Sequence, residues 1–288
     1  MNNTKNVVEW WNDISDEEEK DIDDELINRL LRWKEIRRNL EGVNTILDIG
    51  GATGAFSIPL AKEGFEVTHV DISPSMLEIA REKAKGISNI NFVEANACNL
   101  DMFLDAQFDL VLNMDGAISF SGDNASKVIS ESCRVAKKKL IFTVSNKSCM
   151  IATWINYSLR STGMLTPAVY EMLENGYWNK QQFPENEVMS CTIPMFKAYT
   201  LKEVKEELCS NGMEVIVARS LGSLSHLYLM HLRHTDLKIN DFDGDLLNQF
   251  IEICENYDIN IMPDGPGSFR RSGIIAVAET GGIHGSFL

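Results

Sequence analysis

Proline is scarce in this chain, with seven in 288 residues, and its six cysteines (Cys98, Cys133, Cys149, Cys191, Cys209, Cys254) include no Cys-x-x-Cys pair. Scattered thiols of this kind argue against a zinc ribbon and against a disulfide-stapled scaffold, and they point to a reducing, cytoplasmic setting. No apolar run approaches the roughly 18 residues of a membrane span. The first dozen residues lack a basic segment followed by an apolar one, so no signal peptide is expected. Positive charge is also short: 27 Lys and Arg stand against 42 Asp and Glu, a net charge of −15. That balance disfavours nucleic acid and anionic membranes as partners and suits a neutral or cationic substrate. No internal repeat is visible.

Hydrophobic residues make up 44% of the chain, enough for a sizeable core in one large domain or two small ones. Short apolar runs alternate with helical periodicity. Strands are expected at 45–49, 65–71, 91–94, 108–113, 140–144, 213–219 and 273–279. Helices are expected over roughly 20–40, after the glycines to about 63, and over 73–85, 126–137 and 200–211. Ser73-Pro74 supplies a cap and a first-turn proline, and Thr200-Leu-Lys-Glu203 is a capping box. Strand–helix alternation of this kind argues an α/β, doubly wound sheet.

The informative stretch is Thr-Ile-Leu-Asp-Ile-Gly-Gly-Ala-Thr-Gly at 45–54. A strand running into glycines and then a helix lets a ligand approach the backbone. The dinucleotide fingerprint would need glycine at 50, 52 and 55, but Ala52 and Ala55 stand at two of those positions. The acid instead precedes the glycines. Asp48, Gly50, Ala52 and Gly54 fit acid-x-Gly-x-Gly-x-Gly with one alanine substituted, and 17 positions after Gly54 comes Asp71, at the end of the second strand. An acid there can accept both hydroxyls of a ribose. The pattern resembles motif I of the class I S-adenosylmethionine-dependent methyltransferases. Val-Asp-Ile-Ser-Pro-Ser-Met-Leu at 70–77 is similar to their second motif.

The resemblance covers 44–146 closely and 199–279 loosely. It implies a Rossmann-like sheet of seven strands in the order 3-2-1-4-5-7-6 with the last strand antiparallel, and helical cap insertions. It implies S-adenosylmethionine as cofactor, with S-adenosylhomocysteine as product and no metal. Cofactor contacts are then expected from Asp48, Gly50, Gly51, Ala52, Gly54, Asp71, Ile72, Met76, Asn96, Ala97 and Asn113. Asn96 stands where the family usually has aspartate, and its amide oxygen can still accept a hydrogen bond.

On this reading 1–42 form an N-terminal helical arm or lid, 43–146 the cofactor-binding core, 147–198 a cap and 199–279 the rest of the core. A second insertion occupies 221–272 and a tail 280–288. The cap is rich in aromatics (Trp154, Tyr157, Tyr170, Tyr177, Trp178, Phe183, Phe196, Tyr199), which suits an apolar or ring-containing substrate. Trp11, Asn146, Trp154, Tyr177 and Tyr199 are the candidate substrate contacts. Asp115, directly after the fourth strand, is the candidate catalytic residue, as a base or as an anchor for an amine. His226, His231 and His234 are other candidate bases.

Several subfamilies are excluded by their motifs. No Asn/Asp-Pro-Pro-Tyr follows the fourth strand, no paired-glutamate loop is visible, and Ser145 occupies one aspartate position of the magnesium-dependent catechol type. The remaining resemblance is to the bacterial natural-product branch, acting on N, O or C of a small molecule or modified peptide. A peptide or protein amine is an alternative acceptor, and a non-catalytic cofactor-binding protein is a third reading.

Overall fold

The computed structural model describes residues 2–15, 24–114, 116–181, 193–232, 238–268 and 272–281. Its centre is β1 (Thr45–Ile49), where Ile46, Leu47 and Ile49 are fully buried. A strand covered on both faces reads as a continuous apolar run, because each side chain points into one of two packed layers. β2 (Glu66–Asp71) pairs parallel with β1, and β3 (Ile90–Glu94) with β2. On the other side of β1 lie β4 (Phe108–Asn113), buried throughout, and β5 (Ala136–Val144), both parallel. β8 (Met213–Ser220) and β9 (Ile274–Thr280) complete the sheet, with β9 antiparallel to both β5 and β8.

The spatial order is β3-β2-β1-β4-β5-β9-β8. This is the expected seven-stranded arrangement. Two cap strands, β6 (Tyr177–Asn179) and β7 (Met195–Lys197), form a separate antiparallel ribbon and shift only the numbering. Chain order reverses between β1 and β4, which opens a crevice beyond their carboxyl ends.

One face of the sheet is covered by α5 (Ala125–Val135) and α8 (Leu201–Ser210), the latter started by the Thr200–Glu203 capping box. The other face packs on α2 (Asp24–Arg38), α3 (Ser57–Lys62) and α10 (Gly244–Asn256). Residues 20–23, the first part of the helix expected over roughly 20–40, lie outside the described residues. α5 ends two residues before the expected boundary and β5 starts four residues early. The three lysines at 137–139 look like a helix end in sequence. In the fold Ala136 pairs with Phe108, Lys138 reaches Asp109 Oδ1 at 3.0 Å and Lys139 reaches Glu279 Oε1 at 3.4 Å. Partners distant in sequence therefore decide that boundary.

The cap is built from α6 (Lys147–Thr162), α7 (Pro167–Asn175) and the β6–β7 ribbon. α7 stops at Gly176, which has φ 65°. A Cβ at this position would lie 2.2 Å from the Ala198 carbonyl oxygen, so only glycine lets the helix end meet the ribbon.

α2 is tied down by ion pairs. Glu35 Oε2 accepts from Arg219 Nη2 at 3.0 Å, with both side chains 6% exposed, while Glu255 on α10 pairs with Arg38 at 2.7 Å and Lys34 at 3.1 Å. Breaking a buried pair leaves one charge uncompensated. Arg219→Met should lower unfolding free energy by about 3 kcal/mol with an unchanged urea m-value, because Glu35 is left with the longer contact to Arg38 at 3.6 Å and an uncharged donor, Asn39 Nδ2, at 3.3 Å. Urea titration of both proteins checks this.

Candidate active site

The crevice between β1 and β4 is shaped by the glycine loop. Gly50 and Gly51 both donate to the Val70 carbonyl, at 2.8 and 3.1 Å, so the chain turns back against β2 as soon as it leaves β1. Gly50 has φ 68° and a Cβ there would sit 2.7 Å from Ala117 Cβ. Ala52 has φ 47°, in the left-handed region that disfavours any side chain. Its N–H donates to Asp71 Oδ2 at 2.9 Å, which helps hold that conformation.

Asp71 closes β2. Its other oxygen accepts from the Ser73 N–H at 2.8 Å. Burial pushes its carboxyl up to about 6, against the bonds from the Ser73 and Ala52 N–H groups that pull it down. Ser73 then starts α4 (Pro74–Lys83), accepting from the Met76 N–H at 3.2 Å.

Around these groups lies a cleft of about 570 Å³, open to solvent. Asp71, Ile72, Met76, Asn96 and Ala97 line one side, Gly50 and Ala52 the floor, and Trp11 and Phe120 the other side. A second, wider space of about 1130 Å³ shares Gly50 and Ala52 and continues past Asp48, Gly51 and Gly54 to Arg29 and Met114. The glycine loop lies between these two adjoining spaces, the two halves of the candidate groove, and lines both. One is mostly apolar with a single carboxylate. The other is edged by Arg29, Lys62 and Lys83, a local cationic rim on an acidic chain.

α1 (Asn2–Asp13) lies across the first half. Asn12 Oδ1 accepts from Ser73 Oγ at 2.6 Å and from the Ser75 N–H at 3.4 Å, which fastens the helix to the start of α4. Trp10 stacks on Phe120 at 5.3 Å and Trp11 meets the same ring edge-on at 5.1 Å.

The sequence of residues 46–139 matches the family model described as "Methyltransferase domain". Residues 46–139 are thus a methyltransferase domain. Over 112 residues it is 35% identical to the chloroplastic magnesium protoporphyrin IX methyltransferase of Arabidopsis thaliana, covering 38% of this chain and 35% of that one. Over 132 residues it is 31% identical to human EEF1A lysine methyltransferase 2, covering 43% and 55%. The chain thus spans well under two thirds of these relatives. A SAM-dependent methyltransferase structure from Methanosarcina mazei superposes with a TM-score of 0.52 at 19% identity, covering 85% of this chain and 96% of that one, a likeness of fold.

Within the methyltransferase domain, ten of the eleven expected cofactor contacts border the two halves of the groove. Asn113 borders neither. It ends β4 fully buried, and among the described residues its side-chain amide has no hydrogen-bond partner. Asn96 Oδ1 accepts from the Cys98 N–H at 2.9 Å, so the residue first shapes its own turn. Asp115 lies outside the described residues. Its neighbour Met114 is held firmly, its carbonyl accepting from Arg32 Nη1 at 2.9 Å and from the Thr143 hydroxyl.

Of the candidate substrate contacts, Trp11 lines the cleft and four others are placed elsewhere. Asn146 caps α6, accepting from the Ser148 N–H and donating to the Gly265 carbonyl, each at 3.0 Å. Trp154 is inside the cap, stacked on Phe196 at 5.5 Å. The Tyr177 hydroxyl accepts from Asn179 Nδ2 at 3.0 Å on the ribbon. Tyr199 belongs to the core with Val204 and Leu208. Trp154 belongs with Trp178 and Phe196 to the apolar cluster that joins α6, α7 and the ribbon. Phe183, His234 and the His231 side chain lie outside the described residues, and His226 sits on α9 (Ser223–Leu232), away from both halves of the groove. No group of three metal-ligating side chains is found among the described residues.

Sequence reasoning missed Val7, Ala117, Phe120 and Ser121, which line the cleft. It also missed Ser57, whose hydroxyl is 2.5 Å from Asp48 Oδ2. The last was within reach, since a serine nine residues after the motif acid falls at the start of the following helix.

A Cβ on Gly51 would come within 2.4 Å of His69 Cε1 and 2.9 Å of Asp48 Oδ2. Gly51→Ala should therefore cost roughly 1–3 kcal/mol of stability as an overpacked core position does, measured by thermal or urea unfolding.

Proposed function

We propose that the protein is an S-adenosylmethionine-dependent methyltransferase acting on a small-molecule acceptor. The observation that carries this reading is the pair of adjoining spaces that share Gly50 and Ala52, one lined by Asp71 and the other by Asp48. Its residues fit the donor. Asp71 is a buried carboxylate in the position to receive a ribose, Ile72, Met76 and Ala97 offer apolar faces to a base, and Gly50 and Gly51 leave backbone where any side chain would collide.

S-adenosylmethionine, when bound, supplies a methyl group already activated on a sulfonium. The protein's part is alignment and exclusion of water. Asp71 would hold the ribose hydroxyls, Asp48 the ammonium group, and Asn96 and Ala97 would complete the donor contacts. α1, latched through Asn12, would keep water from the groove, and Trp11 and Phe120 would offer the acceptor an aromatic wall. Asp115, following β4 in sequence, would serve as base for a protonated nucleophile or as anchor for an amine.

A second acceptor class, an amine on a peptide or protein, is favoured by the net charge of −15 and by the relative named for a lysine of EEF1A. The relative named for magnesium protoporphyrin IX points toward small molecules. Incubation with methyl-labelled donor and panels of metabolites and peptides separates the two, and labelling of neither, with donor bound, identifies a non-catalytic binder.

Donor binding also has a pH signature. Asp71 sits at about 6, and the ionised form is the better acceptor for two hydroxyls. Affinity for S-adenosylhomocysteine should rise with pH from about 5, approaching tenfold per unit on the acid side, and level off above about pH 7. Asp71→Asn should flatten that slope and weaken binding at about pH 7.5 by roughly 10-fold or more. Calorimetry across the pH range checks both.

A further inference from the structure

Asp48 is the motif carboxylate, and it is only 1% exposed. Behind it lie two buried polar side chains that the proposed donor contacts do not use. Ser57, the first residue of α3, places Oγ 2.5 Å from Asp48 Oδ2 and 2.6 Å from His69 Nδ1. His69 is fully buried on β2, directly opposite Asp48 in the β1–β2 register. Its ring packs beside Phe92, with centroids 5.1 Å apart, and its Nε2 is buried with no hydrogen-bond partner. Three elements thus bring an acid, a hydroxyl and an imidazole into one short chain. The hydroxyl is in the middle, so this is not the order of a nucleophilic triad.

Two arrangements put one proton in each of the two contacts with the Ser57 hydroxyl donating inside the chain. A hydroxyl has one proton, and an ionised carboxylate only accepts. With Asp48 ionised, the Ser57 proton must point to Asp48, and the contact to His69 must then be filled by a proton on Nδ1. His69 is neutral in that arrangement and its orphaned Nε2 is a bare lone pair. The reverse chain starts from a protonated Asp48, passes through Ser57 to Nδ1, and leaves Nε2–H buried with no acceptor. A buried N–H without a partner is among the costlier defects a core can hold. We propose that Ser57 and His69 are positioning residues for Asp48, with His69 Nδ1–H donating to Ser57 Oγ and the Ser57 hydroxyl donating to Asp48 Oδ2.

This chain fixes the plane of the carboxylate, and Asp48 lines the groove beside the glycine loop. Gly51 belongs to the same device, since any side chain there would meet both His69 and Asp48. Burial holds His69 well below the usual imidazole range, at about 4, although a backbone hydrogen bond at Ala52 opposes that shift. The ring therefore stays neutral at working pH and does not compete for the negative charge of Asp48. That the oriented carboxylate serves donor binding rests on the function proposed above; the proton arrangement does not.

The test has two independent arms. Long-range ¹H–¹⁵N NMR of the ligand-free, full-length protein reads the His69 tautomer directly. The expected result is a single neutral form with the proton on Nδ1 and a bare Nε2, and a dominant Nε2–H form overturns the proposal. Calorimetry with S-adenosylhomocysteine reads the consequence. S57A should lose roughly 10-fold in affinity, the size of one hydrogen bond to a charged group, and S57T, which keeps the hydroxyl, should recover most of it. Wild-type affinity in S57A, or no recovery in a folded S57T, overturns the positioning role. If S57A does not fold, H69F, which keeps a ring against Phe92, replaces it with the same expected loss. If the unaltered protein binds no donor product, the methyltransferase reading falls while the tautomer arm still decides the proton arrangement.

Discussion

One buried carboxylate, Asp71, receives the N–H of Ala52 at 2.9 Å and the N–H of Ser73 at 2.8 Å. The first bond holds an alanine in a left-handed conformation at the turn from β1 toward α3. The second steadies the start of α4, where Ser73 in turn bonds Asn12 of α1. Two loops and the N-terminal helix α1 are thus linked to a single side chain at the end of β2. The charge is costly where it sits, and burial raises its pKa. Backbone donors repay part of that cost, and a ligand bearing hydroxyls would repay more.

The same economy explains why the molecule places its polar groups as it does. Polar side chains around the groove are bound to backbone or to one another before any ligand arrives: Asn96 to its own turn, Asn12 to α4, Asp48 to Ser57. Pre-organisation of this kind reduces the ordering that binding must bring about. The cap follows a different logic. Trp154, Trp178 and Phe196 are almost fully buried within it, so its aromatic content is consumed in making a small core stand beside the sheet. What faces the groove instead are Trp11 and Phe120, one from the N-terminal helix and one from the turn after β4.

Much of the fold was legible because its signals are local. A run such as Thr45–Ile49 followed by glycines, the Ser73-Pro74 start and the Thr200–Glu203 box each act within a few residues, and all three appear where they were expected. The glycine loop that lines the groove was legible for the same reason: Asp48, Gly50, Gly51, Ala52 and Gly54 lie within seven consecutive residues. Failures began where neighbours come from afar. The register of β5, the ribbon in the cap and the placement of Asn146, Tyr177 and Tyr199 depend on partners distant in the chain.

The amino-acid sequence by itself determined the strand–glycine–helix unit, the acid at the end of β2 and the family to which the domain belongs. Backbone sterics and capping chemistry operate at short range and leave their marks in adjacent residues. Only the tertiary structure decided which aromatics line the groove and which fill the cap, because burial depends on the packing of whole elements. It also brought His69 beside Asp48. Those residues are 21 positions apart in the chain, and the β1–β2 register sets them side by side.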